Sequence, residues 1–119
     1  MIPKWFSATR CNAPVFINGD GQTSRDFCYV GNLLQAILPA AMTNNVPAIG
    51  RYYNIAYGGR TTLNQLFAKI RELVVRQNAD SATNGPVFCP ERPGDIRHSY
   101  ADIALARELL GYEPGIFAR

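Results

Sequence analysis

Val15-Phe16-Ile17-Asn18-Gly19-Asp20-Gly21-Gln22-Thr23-Ser24-Arg25-Asp26-Phe27-Cys28-Tyr29-Val30 is the stretch on which the fold turns. A β-branched and aromatic run, residues 15–17, meets Asn18-Gly19-Asp20-Gly21, a cluster of turn residues that accept positive φ. Residues 25–30 then return to strand-forming types, so the pattern predicts a β-hairpin over residues 15–30. The turn comes close to GxGxxG, but the third glycine is missing. A strand also follows where a dinucleotide loop would open a helix, so the hairpin is the better reading.

Working outward, Gly31-Asn32 opens a helical pattern with Leu33, Leu34, Ile37 and Ala41 on one face, interrupted by Pro39. A loop over residues 43–51 leads to a short apolar strand at residues 52–56, ending at Gly58-Gly59. The clearest helix spans residues 62–77, where Leu63, Leu66, Phe67, Ile70, Leu73 and Val74 share a face. Thr62 and Gln65 have capping-box spacing at its start. Residues 78–85 read as a polar loop and 86–89 as a last short strand. A final helix starts near Asp102, carries Ile103, Ala106, Leu109 and Leu110, and stops at Gly111. The expected fold is a small mixed α/β domain: a β-hairpin plus short strands with about three helices, in the order β-β-α-β-α-β-α. The 52–56 strand, flanked by helices, has few partners here; that arrangement belongs to a strand of a larger parallel sheet.

Composition narrows the function. At 119 residues the chain has room for one core, and 47% hydrophobic against 18% charged residues exclude a disordered tail or a coiled coil. No apolar run reaches the ~20 residues of a membrane span, and the opening residues lack the apolar core of a secretory signal. The net charge of +3 (12 basic minus 9 acidic) is too small for a nucleic-acid footprint. Cys11, Cys28 and Cys89 are odd in number and widely spaced. They predict buried or half-buried free thiols in a reducing, cytoplasmic setting, with neither disulfide nor zinc. With one histidine, His98, no metal site is expected; His98 is read as a structural hydrogen-bonding group.

Ten of the twelve basic residues are arginine, the side chain that grips phosphate bidentately, although base composition gives the same bias. Arg25 stands on a strand beside a turn. Arg92-Pro93-Gly94-Asp95 puts an arginine and a carboxylate on a stiff, sharply turned loop, an arrangement that suits a phosphate beside a sugar hydroxyl. On spacing alone, ion pairs Arg25–Asp26 and Arg92–Asp95 are the plainer reading. No phosphate loop GxxxxGK[ST] is present, and no tyrosine has a lysine four residues on.

Taken together, Ile2-Pro3-Lys4-Trp5, Phe16-Ile17-Asn18-Gly19-Asp20-Gly21, residues 23–30, Tyr53-Asn54-Ile55-Ala56, Arg60-Thr61-Thr62-Leu63-Asn64 and Arg92-Pro93-Gly94-Asp95-Ile96-Arg97-His98-Ser99 resemble the carboxy-terminal part of NAD-dependent UDP-sugar 4-epimerases. These enzymes are extended short-chain dehydrogenases/reductases, and the likeness is nearest to the bacterial UDP-N-acetylglucosamine branch. The resemblance implies that Arg25 contacts the diphosphate and that Arg92 and Asp95 hold phosphate and ribose. It also implies that Phe16, Ile17 and Asn18 lie along the nucleotide, that Ile2 and Trp5 pack near uracil, and that Leu63 makes an apolar contact.

It further implies that residues 1–119 are a UDP-sugar-binding domain lacking its Rossmann domain. NAD would then serve only the full-length enzyme, a homodimeric isomerase of capsule or lipopolysaccharide synthesis. The glycine-rich loop and Tyr-xxx-Lys pair are absent, so no catalytic residue is assigned and the isolated chain is expected to be inactive. A UDP-sugar and the Rossmann domain are the expected partners, with no nucleic acid or membrane. Gly31, Pro39 and Gly59 depart from the family pattern, which affects helix ends rather than these contacts. The same region of a nucleotide-sugar dehydratase or decarboxylase, or a stand-alone binding module, are the alternatives.

Overall fold

The structure, a computed structural model, describes residues 1–80 and 84–115; residues 81–83 of the expected polar loop lie outside it. In chain order the elements are α1 (Ile2–Arg10), β1 (Phe16–Asn18), β2 (Ser24–Arg25), α2 (Val30–Met42), a 3-10 helix (Val46–Ala48), β3 (Thr61–Thr62), α3 (Leu63–Gln77), β4 (Val87–Cys89) and α4 (Ala104–Leu110). Four α-helices replace the expected three, because the opening residues form α1. The result is a small mixed α/β chain that divides into two compact units. The first is Met1–Ser24 with Thr61–His98; the second is Arg25–Arg60 with the chain from Ser99 onward.

The first unit packs α1 on α3. Leu63, Leu66, Phe67, Ile70 and Val74 form the buried face of α3, at the spacing that places residues on one side of a helix. Trp5 of α1 meets Phe67 edge to face, with ring centroids 6.5 Å apart. Burying each such side chain contributes roughly 1.5–3 kcal/mol. The Thr62 hydroxyl accepts the Gln65 N–H while the Gln65 side chain accepts the Thr62 N–H, so the predicted capping box is formed.

The hairpin is not formed. β1 pairs in parallel with β4, Phe16 opposite Val87, Ile17 opposite Phe88 and Asn18 opposite Cys89. Parallel strands need a crossover connection, and here α3 lies between them in sequence. The turn residues instead bond to the start of α3: Leu63 N–H donates to the Thr23 carbonyl and Asn64 N–H to the Gly21 carbonyl. Gly21 (φ +73) is held there because any Cβ would overlap the Asn64 side chain. The turn chemistry is as expected; the partner of the strand before it is 71 residues away.

The second unit is built on Ala36, Ala56, Ile103, Ala106 and Tyr112, with Tyr53, Ile55 and Ala101 packed against them. The Tyr112 hydroxyl donates to the Ala56 carbonyl at 2.7 Å, and the Tyr53 hydroxyl to the Ala48 carbonyl at 2.7 Å. Asp102 accepts the Ala104 N–H at the start of α4, and the helix ends at Gly111 as predicted. α2 reverses the expected orientation. Asn32 and Ala36 are its buried residues, whereas Leu33, Leu34, Ile37 and Leu38 are 42–62% exposed. Its cap is also different: Tyr29 stands at the N-cap, without a side-chain bond, and Gly31 and Asn32 lie inside the helix. Residues 52–56 form no strand, and none of the described strands pairs with them. Of the free thiols, Cys11 and Cys28 are exposed, against the expected burial, and Cys89 is half-buried. No helix among the described residues is long and apolar enough to cross a membrane.

Candidate anion-binding site

Within the first unit a cavity of about 60 Å³ is lined by Asn18, Thr23, Glu91, Arg92, Asp95 and Arg97. Two turns build it. β1 alternates, Ile17 inward and Asn18 outward, so Asn18 reaches the cavity from the strand end. Across from it, Pro93 and Gly94 (φ +80) turn the chain sharply, and Asp95 N–H closes the turn on the Arg92 carbonyl at 3.1 Å. Arg92 and Asp95 are thereby presented on one tight turn. Ordinary ligand pockets measure roughly 300–1,000 Å³, so this cavity admits one small group rather than a whole nucleotide.

The two cavity arginines differ. Arg97 Nη2 donates to Asp20 Oδ2 at 2.8 Å, and Nη1 lies 3.5 Å from Glu91 Oε1. No described residue holds the Arg92 guanidinium in an ion pair, so it presents its donors to whatever enters. The predicted Arg92–Asp95 pair is absent among the described ion pairs. In the second unit, Asp26 accepts the backbone N–H of Tyr57 and of Gly58, at 3.2 and 3.1 Å, which employs both of its oxygens. The Asp20 carboxyl sits below its usual range, first because the Gln22 N–H donates to it and then because Arg97 lies beside it.

The sequence-predicted site residues separate as follows. Asn18, Arg92 and Asp95 line the cavity together. Trp5, Ile17 and Leu63 are buried in the first unit, Trp5 against Phe67, so their side chains act as core. Ile2 is half-buried at the start of α1, and Phe16 is exposed beside Ile17. Arg25, half-buried, lies in the second unit. Sequence reasoning missed Thr23, Glu91 and Arg97; an arginine two positions beyond Asp95 was the available signal for the last. His98 does make the structural hydrogen bond expected of it, Nδ1 to Ser24 Oγ at 2.9 Å.

Residues 1–56 match the model of the NAD dependent epimerase/dehydratase family. The chain is 32% identical over 100 residues to UDP-glucose 4-epimerase of Mycolicibacterium smegmatis, an alignment covering 84% of this chain and 29% of that protein. Among solved structures it resembles UDP-glucose 4-epimerase of Thermotoga maritima with UDP-glucose. The TM-score is 0.82 at 32% identity, over 98% of this chain and 34% of that one. It also resembles UDP-N-acetylglucosamine 4-epimerase of Methanobrevibacter ruminantium in complex with UDP-N-acetylmuramic acid. There the TM-score is 0.72 at 34% identity, over 96% of this chain and 33% of that one. Further homologues are dTDP-D-glucose 4,6-dehydratase of mouse, 28% identical over 98% of this chain and 32% of that protein, and UDP-glucuronic acid decarboxylase 2 of Arabidopsis thaliana, 28% identical over 89% and 22%. The homologues are thus UDP-sugar 4-epimerases and related dehydratases and decarboxylases. The chain spans about a third of the length of the relatives it matches.

Proposed function

We propose, from this homology to the NAD-dependent epimerases and dehydratases, that the chain binds the UDP part of a nucleotide sugar as the substrate-binding portion of a 4-epimerase. The observation that carries the proposal is the cavity holding Arg92, Asp95 and Asn18 together, with the Arg92 guanidinium in no ion pair with a described residue. A guanidinium with free donors beside a carboxylate offers a diphosphate its counter-ion and a ribose hydroxyl its acceptor. Arg25 is assigned to the diphosphate in the same proposal. Ile2, Trp5, Phe16, Ile17 and Leu63 form the apolar and backbone frame of the nucleotide side.

The Gly19-Asp20-Gly21 turn does not fit NAD. It leads into a strand, and its Gly21 side is filled by Asn64, which leaves no helix N-terminus for a pyrophosphate. NAD and the acid/base pair therefore belong, in this proposal, to the remainder of an epimerase-length protein, and the 119 residues alone turn nothing over. The exposed apolar residues of α2 and the 52–56 segment, which joins none of the described strands, support the same reading, since each leaves surface or backbone that a further domain would satisfy. The parent enzyme is proposed to be a cytoplasmic homodimer acting on UDP-N-acetylglucosamine-type sugars in bacterial capsule or lipopolysaccharide synthesis. A dehydratase or decarboxylase of nucleotide sugars is the second reading, favoured by the mouse and Arabidopsis homologues.

The test is a titration of the isotope-labelled chain with UDP and UDP-N-acetylglucosamine, followed through amide NMR shifts. Saturable shifts at residue 18 and residues 92, 94 and 95 are expected. A folded spectrum that stays unmoved at millimolar UDP sinks the proposal that this chain carries a preformed UDP site.

A further inference from the structure

The loop carrying Arg92 and Asp95 has no core beneath it. Every residue from 91 to 98 is exposed, so apolar burial cannot order it. Polar bonds must do so, and they occur at defined points. Before the loop, β4 is paired with β1, and Gly19 N–H donates to the Cys89 carbonyl at 2.8 Å. After it, Ser24 N–H donates to the Arg97 carbonyl at 2.9 Å, and Ser24 Oγ meets His98 Nδ1 at 2.9 Å. Between these anchors the Arg97 side chain reaches back to both Asp20 and Glu91.

Asp20 is itself a fixed point. Its Oδ1 accepts the Gln22 N–H at 2.9 Å, and its backbone carbonyl accepts from Asn64 Nδ2 at 3.1 Å, in the first turn of α3. A bond from Arg97 to Asp20 therefore connects an exposed loop to a turn fastened on a helix with one buried face. We propose that Arg97 is a positioning residue: it clasps the 91–98 loop to the 19–22 turn and so holds Arg92 and Asp95 in place for the ligand. This rests on the UDP reading for the identity of the ligand, but the clasp is testable without any ligand.

The experiment compares the whole 119-residue chain with Arg97→Ala, Arg97→Lys and Asp20→Asn. Asp20→Asn keeps the oxygen that accepts the Gln22 N–H and removes the charge and the oxygen that accept from Arg97. Amide hydrogen exchange at residues 92 and 94–96 should speed up about fivefold in Arg97→Ala and Asp20→Asn, the scale of an exposed ion-pair network. Arg97→Lys, which keeps the charge, should fall between these and the parent chain. The buried α3 amides, residues 66–74, should change by less than about twofold. Loop exchange that does not move, or α3 exchange that speeds up equally, overturns the clasp.

The second arm reads UDP affinity. Arg97→Ala should weaken it about fivefold in the parent chain and cost nothing further in an Arg92→Ala/Asp95→Ala background, because Arg97 acts through those two residues. An equal cost in both backgrounds would mean that Arg97 touches the ligand itself, and the positioning role would fall. Absence of UDP binding by the parent chain would instead remove the UDP reading, with the exchange arm still deciding the clasp.

Discussion

Replacing Tyr112 by Phe removes one buried oxygen and with it two separable contributions. The hydroxyl donates to the Ala56 carbonyl at 2.7 Å from a side chain that is 1% exposed. Such a bond contributes about 0.5–1.5 kcal/mol net, and a buried carbonyl left without a partner costs about 1–3 kcal/mol. Tyr112→Phe should therefore be about 1–2 kcal/mol less stable at neutral pH. Burial, reinforced by Cys28 and Asp26, also pushes the Tyr112 hydroxyl up from 10.0 to about 12. In that window the unfolded chain releases the proton while the folded chain keeps it. The contribution is thus complete below pH 10 and is lost as pH rises toward the folded value. At pH 11 the loss is about 1.4 kcal/mol, and phenylalanine, having no proton to lose, escapes it. The gap between the two proteins should close almost completely between pH 7 and pH 11. Urea unfolding followed by far-UV circular dichroism at both pH values measures it. A gap that stays constant or widens at pH 11 would refute the assignment of the raised hydroxyl to this buried bond.

Other expectations follow from single contacts. Arg92→Ala, which removes a cavity guanidinium, should weaken UDP binding about tenfold, the low end for a charge-assisted contact because the loop is exposed. In a full-length enzyme the same change should raise KM with little effect on kcat, and an unchanged KM removes Arg92 from the site. Asp26→Ala strips two backbone N–H groups of their acceptor and should cost about 2 kcal/mol in urea unfolding, whereas Asp26→Asn keeps one acceptor and should lose less. Thr62→Ala breaks the capping box of α3 and should cost about 1 kcal/mol; a midpoint that does not shift would mean that the cap is idle. The exposed α2 residues should drive self-association of the isolated chain, and Leu34→Glu with Leu38→Glu should reverse it. Sedimentation velocity over a concentration series reads this, and a parent chain that stays monomeric throughout counts against it.

Local chemistry was legible in the residues themselves. The α3 face, its Thr62–Gln65 cap and the Gly111 stop of α4 all appear in the structure, because caps and amphipathic periodicity are decided within one or two helical turns. The Arg92–Asp95 turn was legible for the same reason, since proline and glycine act on their immediate neighbours. What the sequence could not decide was pairing over distance. Residues 15–18 followed by Gly-Asp-Gly satisfy a hairpin as well as a parallel strand. Only the closing of β1 on β4 and the bonding of the turn to Leu63 and Asn64 exclude the hairpin. The direction of α2 escaped for a related reason. Apolar periodicity marks which face seeks burial, while the fold of these residues buries Asn32 and Ala36 and leaves the leucines outward. Arg97 shows the same limit at the site. Its ion pair joins it to Asp20, 77 residues earlier in the chain, and only tertiary contact separates it from Arg92, which no described residue holds in an ion pair.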